Sequence, residues 1–167
     1  MKMRLTVREL EPTDLTDLDW SGGSEHLRAV AAAVQASYAG EVGLVVAALD
    51  NGRLAGLGAV DFRRDPGPGM LWMLSVHETL QGLGIGTRLI RALERRIVQA
   101  GRSTARIAVE HDNPRARMLY RRLGYREVGS TLDAWPVTGG KTYVTVCTMM
   151  ERPLGPGEPP TGASARH

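Results

Sequence analysis

Cysteine occurs once in these 167 residues, at Cys147 in the apolar run Tyr143-Val144-Thr145-Val146-Cys147, so no intrachain disulfide can form and a buried thiol is expected. That usage suits a reducing compartment. Long apolar runs are missing as well. Met1 to Arg8 carries Lys2, Arg4 and Arg8 where a secretion signal needs apolar residues, and no stretch approaches the roughly 20 residues of a membrane span. A cytoplasmic location without a membrane partner is therefore expected. Lysine is scarce: of 21 basic residues only Lys2 and Lys141 are lysine, the others being arginine spread along the chain. A formal charge of +3 beside 18 acidic residues makes no basic stripe, so no nucleic-acid partner is expected. Internal repeats are absent too, which excludes a solenoid.

What remains is an ordinary globular composition, 43% hydrophobic and 23% charged, sufficient for one continuous core. A single domain is expected over residues 1–152. The tail 153–167, rich in Pro, Gly and small polar residues, is expected to be disordered.

Periodicity and punctuation place the elements. A first strand spans Met3 to Leu10, and two helices follow near Pro12–Trp20 and Ser24–Tyr38, with Ser24 as an N-cap. Gly43–Leu49 and Arg53–Phe62 read as a hairpin around Asp50-Asn51-Gly52. Met70–Val76 is nearly all apolar, as expected for a central strand buried on both faces. In the next helix Ile85, Leu89, Leu93 and Ile97 recur every four residues, and Gly101 ends it. Thr104–Val109 is a short strand. Asn113 and Pro114 then open a helix that stops before Gly124. Tyr125–Ser130 and Thr142–Met150 complete the strands, with Asp133–Lys141 expected as a loop over the site. The terminal strand near Thr142–Met150 is the expected place for a homodimer contact.

The chemistry concentrates at one junction. In Gln81-Gly82-Leu83-Gly84-Ile85-Gly86-Thr87, alternate glycines remove the side chains that block close approach to the backbone, just where a helix begins. Unpaired amides at the positive end of a helix dipole suit a phosphate or pyrophosphate. The dinucleotide spacing G-x-G-x-x-G fails, because starting at Gly82 puts Thr87 last and starting at Gly84 puts Leu89 there. A P-loop fails because no lysine precedes Thr87.

Gln81-Gly82-Leu83-Gly84-Ile85-Gly86 resembles the acyl-CoA pyrophosphate loop of the GNAT superfamily, Q/R-x-x-G-x-G/A, after an apolar strand ending Leu74-Ser75-Val76. Asn113 to Tyr125 resembles that superfamily's second signature, in which Asn opens a helix and Tyr lies near the cofactor sulfur. The two stand in the family's order, and with the order of elements the likeness covers Met3 to Met150. It implies an α/β (α+β) domain with a central mixed, mostly antiparallel sheet of about seven strands and helices on both faces, ordered β-α-α-β-β-β-α-β-α-β-β. It also implies an N-acetyltransferase that uses acetyl-CoA as cosubstrate, without a metal, on a primary amine attacking in a ternary complex. Leu74, Ser75 and Val76 would hold pantetheine, with the Val76 amide free for the thioester oxygen. Gln81, Gly82, Leu83, Gly84, Ile85, Gly86 and Thr87 would hold the pyrophosphate, and Asn113, Ala116 and Tyr120 would border the cofactor arm. Tyr120 is the general-acid candidate, against a plain packing role. Many members carry a glutamate on the strand before the loop, but Met70-Leu71-Trp72-Met73-Leu74 has no acid. Glu110 is the substitute base, directly or through a water, against a reading as a solvated strand end; His77 and Glu78 rank below it. Trp20, Trp72 and Trp135 are candidate walls for the acceptor, or core. A non-catalytic acyl-CoA-binding regulatory domain is the alternative.

Overall fold

In the computed structural model residues 3–155 are described. Among them the elements run β1 (Leu5–Glu9), α1 (Ser24–Tyr38), β2 (Val42–Leu49), β3 (Leu54–Asp61), β4 (Gly69–Val76), α2 (Ile85–Gln99), β5 (Thr104–Glu110), α3 (Pro114–Arg122), β6 (Arg126–Val137) and β7 (Lys141–Pro153). One mixed sheet results, in the order β1-β2-β3-β4-β5-β7-β6. Its neighbours are antiparallel except β4 and β5, which are parallel.

Helices cover both faces, which explains why β2 and β3 read as unbroken apolar runs rather than alternating ones. Val45, Ala47 and Val60 pack under Ile85, Leu89, Leu93 and Ile97 of α2. On the opposite face Val42, Leu44, Val46 and Leu57 pack with Val30, Ala33 and Val34 of α1. Each buried Leu or Ile side chain contributes about 1.5–3 kcal/mol. The approach of α2 is close: a Cβ at Gly69 would stand 2.6 Å from Ile97 Cγ1.

Several expectations change in detail. Pro12–Trp20 forms short 3-10 segments, Pro12–Asp17 and Asp19–Ser21, not an α-helix. Asp14 accepts the Glu11 amide at 2.8 Å and both Arg8 guanidinium nitrogens, and Gly22-Gly23 follow, so the segment is too short to propagate. Gly23, not Ser24, is the N-cap of α1. In the β2–β3 turn only Gly52 is left-handed, at φ +82°, closing a turn in which the Gly52 amide donates to Leu49 O.

Three larger corrections bear on the site. Strand β4 is not buried on both faces: Gly69 and Leu71 are, but Trp72 to Val76 are only half-buried. The reason is the β4–β5 pairing, which stops after Gly69–Ala105 and Met70–Arg106, so the two strands part beyond it. Asp133–Lys141 is not a loop over the site, because Asp133–Val137 pairs with Lys141–Thr145 and extends the β6–β7 hairpin. Strand β7 pairs with β6 along most of its length and with β5 from Cys147 onward, so Cys147–Met150 is internal and the sheet's edge strands are β1 and β6. Packing also continues past residue 152: Leu154 is buried, and its amide donates to Ser103 O at 2.6 Å. Residues 156–167 of the expected tail lie outside the described residues. Among the described residues no helix is long and apolar enough to cross a membrane.

Candidate functional site

Where β4 and β5 part, the sheet opens. A bulge prepares the opening: Leu57 pairs with Ser75 and Ala59 with Trp72, so Met73 and Leu74 together oppose Gly58. Met73 takes φ +55°, the one positive φ outside glycine among the described residues. A side chain is strained in that conformation, so surrounding packing must hold it. Beyond the bulge the His77 amide donates to Ala55 O at 2.8 Å, toward β3. Amides alternate along a strand, so the Val76 N–H faces the opposite side, into the opening. Val76 O faces the same way and accepts the Gln81 Nε2–H at 3.3 Å.

A cleft of about 470 Å³ occupies the α2–α3 side of this opening. Its floor is the start of α2. Gly82 and Gly84 are both left-handed at φ +81°, and Gly84 is the N-cap with no side-chain hydrogen bond. The first intrahelical bond runs from the Arg88 amide to Gly84 O, so the amides of Ile85, Gly86 and Thr87 have no acceptor within the helix. Across the cleft α3 begins differently. Asn113 Oδ1 accepts the Ala116 amide at 3.1 Å, which leaves the Asn113 side-chain NH2 free to donate. Of the residues expected around a cofactor, all but Leu83 line this cleft; the Leu83 side chain is 59% exposed. Arg115 and Arg122 line it too, adding positive charge that no spacing in the sequence pointed to.

Tyr120 is the only buried residue of α3. Burial pushes its phenol well above the ordinary range, so it stays protonated. Among the described residues nothing hydrogen-bonds its hydroxyl, and no buried side-chain oxygen there lacks a partner, so the hydroxyl oxygen reaches the cleft surface.

A second cavity of about 270 Å³ lies on the side of Trp72 and Met73. It shares Leu74, Asn113, Ala116 and Tyr120 with the first, so the two meet through the opened sheet. Glu110, at the end of β5, lines it. Desolvation, then the charges of Asp112 and Asp133, raise its carboxyl above the usual range. Asp133, the first residue of the segment expected over the site, lines the cavity because the extended hairpin carries it there. Trp72 is a cavity wall, whereas Trp20 packs on the His77 ring at 5.4 Å and Trp135 on Tyr143 at 5.1 Å. The His77 ring nitrogen bonds Thr79, and neither His77 nor Glu78 lines either cavity.

Known structures share this fold. A spermidine N-acetyltransferase SpeG chimera from Vibrio cholerae and hSSAT superposes with a TM-score of 0.72 at 18% identity, covering 90% of this chain and 95% of that one. The ribosomal-protein-S18-alanine N-acetyltransferase of Escherichia coli gives 0.68 at 21%, covering 93% and 98%. A Salmonella typhimurium protein described as an acetyltransferase and solved with its cofactor acetyl-CoA gives 0.68 at 17%, covering 95% and 98%. These likenesses concern the fold. The sequence profile of the Acetyltransferase (GNAT) family matches residues 7–125, and the chain belongs to that family.

Proposed function

We propose that this acetyltransferase moves the acetyl group of acetyl-CoA to a primary amine by direct attack in a ternary complex. The observation that carries the reading is the junction of two cavities through one opened sheet, with bare amides on one side and a carboxylate on the other. The amides of Ile85, Gly86 and Thr87, at the positive end of α2, suit the pyrophosphate. Arg115 and Arg122 of α3 add positive charge from across the cleft. The edge of β4 suits the pantetheine arm, and the Val76 amide is a preorganised donor for the tetrahedral oxyanion.

The amine approaches from the smaller cavity, where the carboxylates of Glu110 and Asp133 favour a cationic acceptor. Its ammonium must lose a proton before nitrogen can attack the carbonyl carbon. Glu110 takes that proton directly or through a water. The intermediate then collapses, the C–S bond breaks, Tyr120 gives its proton to the departing sulfur, and the second proton shed by the acylated nitrogen passes through water to restore the Tyr120 phenol. Burial makes Tyr120 a weaker acid than a free phenol, but the thiolate leaves in the same desolvated cleft and becomes correspondingly more basic. A cytoplasmic setting, with reduced thiols, suits the buried Cys147.

Titration calorimetry with coenzyme A, paired with thiol release from acetyl-CoA against a panel of primary amines, tests the reading. A dissociation constant on the order of micromolar and release above hydrolysis on at least one amine are expected. Binding without release on any amine supports the regulatory alternative. No uptake of coenzyme A removes both.

A further inference from the structure

Glu94 is a carboxylate in the wrong neighbourhood for a helix packed on a sheet. It lies on α2, 5% exposed, beside Ile90, Leu93 and Ile97, and an isolated charge there is costly. Its partners come from α2 itself, from the residue just before β6 and from β7. Arg91 Nη1 donates to Oε1 at 2.7 Å, Tyr125 OH to Oε2 at 2.9 Å, and Arg152 Nη1 to Oε2 at 3.3 Å. Arg91 also donates through Nη2 to Leu123 O at 3.3 Å. The group therefore grips the end of α3 twice, at Leu123 and at Tyr125.

That grip is closely connected to Tyr120. The Tyr125 amide donates to Tyr120 O at 2.9 Å, and the two rings meet edge to face with centroids 5.4 Å apart. Helix α3 has nine residues, too few to hold its own shape, and Tyr120 is its only buried side chain. Tyr120 belongs to the α2-side core, against which Ala116, Leu119 and Leu123 also pack, and the two ends are held by Asn113 at the start and the Glu94 group at the finish. A phenylalanine at 125 would fill the same space, so the Tyr125 hydroxyl adds only the bond to Glu94.

We infer that Glu94, acting through Tyr125, is a positioning residue that sets the Tyr120 hydroxyl at the meeting point of the two cavities. The inference rests on the reading of Tyr120 as the proton donor to sulfur. Proton transfer needs heavy atoms within hydrogen-bond reach, so a loosened ring loses rate before it loses cofactor affinity.

The test uses the full chain labelled with 13C at tyrosine Cζ, and coenzyme A as the probe. Tyr120→Phe assigns the resonance. In the unsubstituted protein one narrow Tyr120 signal is expected, shifting on addition of coenzyme A. In Tyr125→Phe that signal is expected to broaden or split, with the coenzyme A response reduced about twofold or more while calorimetric affinity stays within about twofold. Glu94→Gln keeps the volume and one acceptor oxygen, and gives an intermediate change; it replaces Tyr125→Phe should that chain not fold. In acetyl-CoA turnover with a panel of primary amines, Tyr125→Phe is expected to lose about fivefold or more at saturation, and the double variant to match Tyr120→Phe within about twofold. A folded Tyr125→Phe with an unaltered Tyr120 signal overturns the inference, as does full additivity. Unchanged turnover in Tyr120→Phe beside the expected spectral change instead removes the proton-donor reading and leaves the positioning intact.

Discussion

Two helices begin on opposite walls of the same cleft, and they begin in opposite ways. At α2 the cap is a left-handed Gly84 with no side-chain bond, leaving three amides without an internal acceptor. At α3 the Asn113 side chain closes on the Ala116 amide and Pro114 presets the first turn. An uncapped start costs stability unless something else satisfies it, whereas a capped start contributes about 1 kcal/mol. One N-terminus is left open, where the proposed function seats the pyrophosphate, and the other is closed by its own Asn113 side chain. Substitutions at α2 should therefore injure binding ahead of folding, and substitutions at α3 the reverse.

Gly84→Val is the strongest way to break this contrast. A β-branched residue at φ +81° is strained and its side chain crowds the amides, so coenzyme A affinity by calorimetry is expected to fall about 100-fold or more. Glu110→Gln probes the chemistry just before α3, with a loss of about tenfold or more in turnover. Only the ionised carboxylate accepts a proton, so the native rate falls as pH drops through a pKa raised by burial, Asp112 and Asp133, and that acidic limb disappears in the variant. For stability the sign is opposite. Folding favours the protonated group, so its contribution is present below the unfolded pKa and lost as pH rises through the folded one. Glu110→Gln should accordingly melt slightly higher at neutral pH.

Gly86→Ala sharpens the contrast most. Gly86 has no positive φ, and an added Cβ would meet only Val76 Cγ2, at 3.9 Å. The helix accepts alanine and gains about 0.5–1 kcal/mol, seen as a higher melting temperature. The methyl group stands among the amides proposed to hold the pyrophosphate, so affinity for coenzyme A should drop about tenfold. A variant that gains in both would show that these amides do not hold the ligand. Asn113→Ala has the smallest effect, about 1 kcal/mol in denaturant unfolding, with coenzyme A affinity lowered only about two- to threefold.

Much of the fold was legible because its signals are local. Glycine at left-handed positions, proline after Asn113, and a four-residue apolar repeat each act within one or two turns of chain. The 3-10 segments at Pro12–Ser21 misled because Asp14 bonds across to Arg8, an interaction that no helical period reveals. The hairpin extension through Asp133–Val137 was hidden by Trp-Pro and Gly-Gly, which read as a loop; Gly139 and Gly140 serve only its tip. Arginine at 115 and 122 could not be singled out in a chain so rich in arginine.

Chain order and composition alone specified most of the succession of elements, the open glycine turn before Ile85 and the capped turn at Asn113, since each depends on backbone angles and neighbours a few residues away. Folding in three dimensions settled the rest. Where β4 leaves β5, which carboxylate joins Glu110, and why Glu94 lies beside Tyr125 depend on strand register and on contacts between residues as much as 58 positions apart, Glu94 and Arg152 being the example. Such pairings follow from how whole elements pack together, and no short stretch of sequence encodes them.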